Sequence, residues 1–149
     1  MPELRKAGHK ELKKYYPLME MDFDSEELLN RLQMHKELMS GNLEMLILED
    51  DQSHMDLAYM VVAPKSIYGY VLLKYFAVLP WYKESGVGIE AMRALHRKYA
   101  DKQGIIAEIT DFELVYTLTL CLSIMRIAYK HICPRAVTCI IHSNGVKYC

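Results

Sequence analysis

Glycine and proline are scarce in this chain, at 7 and 5 of 149 residues, and they are scattered. No flexible linker, internal repeat or low-complexity tract divides the sequence. A single domain over residues 1–149 is therefore expected, large enough for a substantial core. An excess of one charge is also lacking. The 18 basic and 19 acidic residues leave a formal net charge of −1, which gives no bulk attraction to nucleic acid or to an anionic membrane. Long hydrophobic runs are missing too. The longest uncharged run, Leu114 to Met125, has 12 residues, too few to cross a bilayer. The segment from Met1 to Lys14 is charged throughout and has no signal-peptide core, so a soluble, cytoplasmic protein is expected. The four cysteines (Cys121, Cys133, Cys139 and Cys149) all lie in the C-terminal part, and reduced thiols are expected of them. His131 and His142 lie among them, but no Cys-x-x-Cys or His-x-x-x-His pair is present. No metal site is expected.

What is present reads as a mixed α/β pattern. Leu4 to Ala7 predicts a short first strand. Leu12, Tyr15, Tyr16 and Met19 fall at helical spacing within His9 to Met19. Asp24, followed by Ser25-Glu26-Glu27, predicts an N-cap for a second helix that ends at Gly41. From Leu43 the period changes to that of strands: Leu43–Leu48, Leu57–Val62 and Tyr70–Leu79, joined by short polar turns. Val87, Ile89, Met92, Leu95 and Tyr99 predict a third helix over residues 87–102, and Ile105–Ile109 a strand after it. Strands flanking a helix imply one parallel pairing in an otherwise antiparallel sheet. Asp111 is placed as the cap of a further helix, Glu113–His131. Ala136–Ile141 reads as a strand, Asn144-Gly145 as a turn, and Val146–Cys149 as the start of an incomplete last strand.

The densest signal is Tyr75 to Gly88, reading YFAVLPWYKESGVG. A strand stops at Pro80, a polar loop with Gly86-Val87-Gly88 follows, and an amphipathic helix begins at once. First-turn N–H groups have no partner inside a helix, and the helix dipole favours negative charge beside them. Glycine permits positive φ and close approach of a phosphate. The segment reads either as an anion site or as a plain strand–turn–helix connection. The chain has no Gly-x-Gly-x-x-Gly, and no Gly-Lys-[Ser/Thr] follows the loop, which argues against a nucleotide-binding protein of the usual kinds.

The element order and this loop resemble the GCN5-related N-acetyltransferase (GNAT) superfamily. Its acyl-CoA loop is written [Arg/Gln]-x-x-Gly-x-[Gly/Ala], and here Lys83-Glu84-Ser85-Gly86-Val87-Gly88 matches both glycine places. Lys83 keeps a charge at the first place without the guanidinium fork. The resemblance implies a single mixed, mostly antiparallel sheet of six or seven strands flanked by about four helices. It also implies acetyl-CoA as cosubstrate. The backbone of Phe76, Ala77 and Val78 would pair with the pantetheine arm, and the loop from Lys83 and Glu84 through Ser85, Gly86, Val87 and Gly88 to Ile89 would hold the pyrophosphate. The activity implied is acetyl transfer to a primary amine of a small molecule or protein by direct attack.

The family often places a tyrosine in a Tyr-x-x-x-Gly-[Phe/Tyr] pattern, and a phenol suits protonation of a departing thiolate. The best match is Tyr129 to Pro134, with Cys133 and Pro134 in place of the glycine and aromatic. Tyr129 is read as the proton donor, or else as a tyrosine packed on its helix. Glu108, in the fifth predicted strand, is the candidate base, with a bound water or a solvated glutamate as the other readings. Five methionines (Met19, Met21, Met34, Met39 and Met45) are expected to fill core or groove space. A second functional reading is a degenerate member of the fold with a CoA-binding, regulatory or interaction role and no catalysis. It rests on the departures at Cys133 and Pro134 and on a sheet edge at the C-terminus that favours homodimerisation or aggregation.

Overall fold

The computed structural model describes residues 1–65, 69–109, 130–133 and 136–142, the strand residues from Glu108 onward by backbone alone. Seven strands form one sheet in the order β1-β2-β3-β4-β5-β7-β6. They are β1 (Glu3–Lys6), β2 (Glu44–Glu49), β3 (Asp56–Ala63), β4 (Tyr70–Val78), β5 (Gly104–Ile109), β6 (Lys130–Cys133) and β7 (Ala136–His142). All neighbours are antiparallel except β4 and β5, which run parallel. That exception follows from the helix between them, because a return across the sheet is needed to start the next strand in the same direction. Three α-helices are described: α1 (His9–Asp22), α2 (Arg31–Ser40) and α3 (Val87–Lys98). Among the described residues, no helix is long and apolar enough to cross a membrane.

Both faces of the sheet are covered, so the central strands are near-continuous apolar runs. Along β2, Leu46 and Leu48 point to one face while Met45 and Ile47 point to the other. On the first face α3 lays down Ala91, Met92, Ala94 and Leu95. On the second, α1 and α2 contribute Leu12, Tyr15, Met19 and Met34. Met19, Met34 and Met45 are core residues, whereas Met21 and Met39 are exposed, at 81% and 56%. The expectation of a buried or groove role is corrected for those two, which sit on the outward faces of α1 and α2.

A charged cluster ties α1 to the sheet. Arg5 of β1 donates to Glu49 of β2 at 2.6 Å, to both oxygens of Glu11 of α1 at 3.0 and 2.7 Å, and to Asp56 of β3 at 2.9 Å. Lys14 and Tyr15 of α1 also donate to Asp56. The Arg5 hydrogen bond holds the Glu11 carboxyl below its ordinary value. Burial pushes Asp56 up, but the bonds from Tyr15, Lys14 and Arg5 outweigh it and hold Asp56 down.

Two expectations are corrected. α2 begins not behind Asp24 but at Arg31, capped by Asn30, whose side chain accepts from the Gln33 N–H at 2.9 Å. Asp24 instead heads a turn, its carbonyl accepting from Glu27 and Leu28, each at 3.0 Å. Tyrosine hydroxyls claim the backbone that a longer helix would need. Tyr75 donates to the Glu27 carbonyl and accepts from the Leu29 N–H, and Tyr16 donates to the Leu29 carbonyl. The helix expected over Glu113–His131 does not reach His131, because Lys130 and His131 belong to β6 and pair with Thr138 and Val137. Pro134 disfavours the α conformation at Cys133 and cannot donate to a helix. The rest of that helix, its cap Asp111 and the last predicted strand Val146–Cys149 lie outside the described residues. Gly41 ends α2 in the left-handed conformation, at φ 78°, as the sequence implied.

Candidate active site

The site begins with an irregularity in β4. Val61 of β3 pairs with Tyr75 but Val62 pairs with Leu73, so Lys74 is the extra residue of a β-bulge. The bulge switches the faces of the strand. Val71 and Leu73 share the α3-side core with Phe76 and Val78, while Tyr75 and Ala77 join the α1/α2 side. Strict alternation would have put Leu73 and Tyr75 on one face.

Pairing with β5 stops at the same level. The last parallel pair is Leu73 with Ala107. Beyond it β5 continues against β7, through Glu108 with Thr138 and Ile109 with Val137. β4 continues against β3, through Phe76 with Met60, Ala77 with Tyr59 and Val78 with Ala58. From Lys74 to Val78 no described strand lies on the other side of β4. Among the described residues the pairing thus leaves a gap between the two parallel strands, and the backbone groups on that edge have no strand partner there.

The gap leads to the loop. Pro80–Tyr82 form a 3-10 turn. Ser85 donates its N–H to the Tyr82 carbonyl at 3.4 Å, and its hydroxyl to the same oxygen. Glu84 and Gly86 both take positive φ, at 65° and 83°. A Cβ at Gly86 would meet nothing within 4 Å, so glycine is required there by the backbone angle and the space beside it is open. Ile89 and Glu90 donate back to the Gly86 carbonyl at 3.2 and 3.3 Å. The N–H groups of Gly86, Val87 and Gly88 donate to nothing among the described residues. Three free amides at the positive end of α3 can receive an anion. Lys83, Glu84, Ser85 and Gly86 are exposed, and Trp81 is 66% exposed beside them.

The opposite face supplies a wall. Through Tyr75, β4 holds the α1–α2 connection at two points, the Glu27 carbonyl at 2.7 Å and the Leu29 N–H at 3.1 Å. Burial raises the Tyr75 pKa, which keeps the hydroxyl protonated and able to donate. A cavity of about 390 Å³ lies against this wall, lined by Leu29, Gln33, Glu37, Asn42, Ala63 and Lys74 among others. The Lys74 side chain makes no ion pair or hydrogen bond among the described residues. Glu37 accepts from the Asn42 amide at 3.0 Å.

The structure thus brings Phe76, Ala77 and Val78 along the gap and the loop from Lys83 to Ile89 at its end. Glu108 is the first β5 residue past the last β4 pair. Tyr129 lies outside the described residues. The sequence reading missed Lys74 and Tyr75. One signal was legible, since Lys74 is the single charge in the otherwise apolar YVLLKYFAV strand and stands where the alternation breaks.

This arrangement of sheet and helices is the fold of solved GNAT-family acetyltransferases. Solved structures agree. The spermidine/spermine N-acetyltransferase SpeG from Vibrio cholerae superposes with TM-score 0.69 at 13% identity, over 97% of this chain and 96% of that one. A dodecameric structure of the Vibrio cholerae spermidine N-acetyltransferase gives 0.71 at 12% identity, over 96% and 94%. A GNAT-family protein from Desulfovibrio desulfuricans gives 0.68 at 12% identity, over 95% and 99%. No family model matches the sequence, and neither does any curated protein.

Proposed function

We propose that this protein is an N-acetyltransferase that moves the acetyl group of acetyl-CoA to a primary amine of a small molecule or protein. The observation that carries the reading is the gap beside Lys74–Val78, followed across one short loop by the unpaired amides at Gly86–Gly88. A pantetheine arm carries amide groups and can pair with the open edge of Phe76–Val78 as an added strand does. Its pyrophosphate then falls on the start of α3, with Lys83 contributing charge.

The chemistry asks little beyond position. The amine loses a proton and its nitrogen bonds to the acetyl carbon. The C–S bond breaks, and the sulfur leaves as a thiolate that takes up a proton. Holding the two reactants together supplies most of the acceleration. Glu108 is assigned as the group that receives the amine proton, directly or through water, supported by its register position at the mouth of the gap. Tyr129 is assigned as donor to the thiolate.

One observation favours a second reading. Residues directly after Tyr129 are strand, not the helix and turn of the family pattern, so a CoA-binding protein without this proton donor is the competing account. Tyr129→Phe separates the two. A fall of about 10-fold or more in turnover with CoA affinity kept supports the donor role, and unchanged turnover removes it.

The reading itself is tested by calorimetric titration with acetyl-CoA and desulfo-CoA, on the wild type and on Gly86→Trp. Micromolar binding to the wild type and none to the folded variant is expected. A folded wild type that binds neither ligand overturns it.

A further inference from the structure

The cavity on the α1/α2 face has a feature that the acetyl-transfer reading does not use. Lys74 and Glu37 line it together, yet no ion pair joins them. Opposite charges that share a cavity without meeting leave a space that a ligand can bridge. A ligand of one charge would meet only one of the two groups. A zwitterion satisfies both. The amides of Gln33 and Asn42 add donors and acceptors, and Leu29 and Ala63 give an apolar patch for a side chain. The volume of about 390 Å³ suits an amino acid or dipeptide.

The wall is also built rather than incidental. Leu29 is held by the Tyr75 and Tyr16 hydroxyls, and Lys74 is the bulged residue at the level where β4 and β5 part. The anionic end of a ligand on Lys74 is thereby fixed to the strand that borders the gap.

We infer that the cavity binds a zwitterionic amine, an amino acid or short peptide in chemical class, with its carboxylate on Lys74 and its ammonium on Glu37.

The experiment is a titration of the full chain, with and without desulfo-CoA, with the L-amino acids and a set of dipeptides. Matched amines lacking the carboxylate, matched acids lacking the amine, and a polyamine serve as controls. At least one zwitterion is expected to bind about 10-fold more tightly than its matched amine and its matched acid. Lys74→Met, at an exposed position, and Glu37→Gln should each remove that advantage. If acetylation is observed, Lys74→Met should raise KM for the zwitterion about 10-fold, keep kcat within a factor of about 3, and leave KM for the matched amine unchanged. Equal binding of zwitterion, amine and polyamine overturns the inference, as does a Lys74→Met variant that binds the zwitterion normally. Binding of desulfo-CoA without any zwitterion overturns this inference alone. Zwitterion binding that depends on Lys74 in a protein that ignores desulfo-CoA supports the cavity assignment and overturns the acetyltransferase reading.

Discussion

The two faces of the sheet are sealed by different means. Under α3 the fully buried side chains are aliphatic or thioether, among them Leu46, Leu48, Met60, Met92 and Leu95. Under α1 and α2 three tyrosines lie in the same layer as Ile47 and Val61, and each hydroxyl has a named partner. Tyr15 donates to Asp56, Tyr59 to Asp22 and Tyr75 to the Glu27 carbonyl. Burial is the largest cause raising the pKa of all three, so all three remain donors at neutral pH. Apolar burial is strong but non-directional, whereas a hydrogen bond fixes distance and angle. The face that seats the loop-bearing helix is held by area. The face that bounds the cavity is held by position.

The comparison breaks most sharply at the apolar seat. Leu95, fully buried under α3, should cost about 3 kcal/mol when changed to Ala, read as a lower denaturation midpoint with an unchanged denaturant slope. The opposite face should yield less, and in a pH-dependent way. Arg5→Met removes the partner of three carboxylates and should cost about 2 kcal/mol at neutral pH. Glu11 and Asp56 have folded-state pKa values below their unfolded ones. Their contribution is therefore complete above about pH 5 and is lost as pH falls through the folded values. Wild-type stability should fall on acidification below that point, and Arg5→Met should fall less steeply. Equal slopes in the two acid titrations would remove the cluster as the cause.

Tyr75→Phe keeps the ring and deletes the two-point hold on the α1–α2 connection. A cost of about 1–2 kcal/mol is expected, together with faster amide hydrogen exchange at Leu29 than at Met60. Uniform acceleration across the chain would mean that the hydroxyl stabilises the fold without positioning that wall. The smallest effect is at Glu84, a non-glycine residue at φ 65°. Glu84→Gly relieves the backbone and should raise stability by about 0.5 kcal/mol, visible as a small rise in Tm. It also deletes a carboxylate beside the unpaired amides of α3, so affinity for desulfo-CoA should rise.

Much of the frame was legible from local pattern. Short apolar runs bounded by polar turns marked β2 to β5 within a residue or two, and the glycine at 41 marked the end of α2. The loop residues stood out as a spaced glycine pair at the start of an amphipathic helix, a pattern that also fits a plain strand–turn–helix connection. The start of α2 was misread because Asp24, Ser25 and Glu27 form a sound cap locally, and nothing in the sequence says that a tyrosine 48 residues beyond Glu27 will take its carbonyl. Lys130 and His131 were misread because Asp111 offers a local helix cap and Pro134 a stop just past His131, with no local cue for strand pairing.

By itself, the sequence determined most of the strands and helices and where the glycine loop before α3 lies, because hydrophobic period and glycine placement act within a few residues. Only the tertiary structure decided that β4 bulges at Lys74, that its pairing with β5 ends at Leu73, and that Lys74 and Glu37 share one cavity with no ion pair between them. Those features depend on which strands lie side by side and in what register, which is settled between distant segments by the packing of both faces at once.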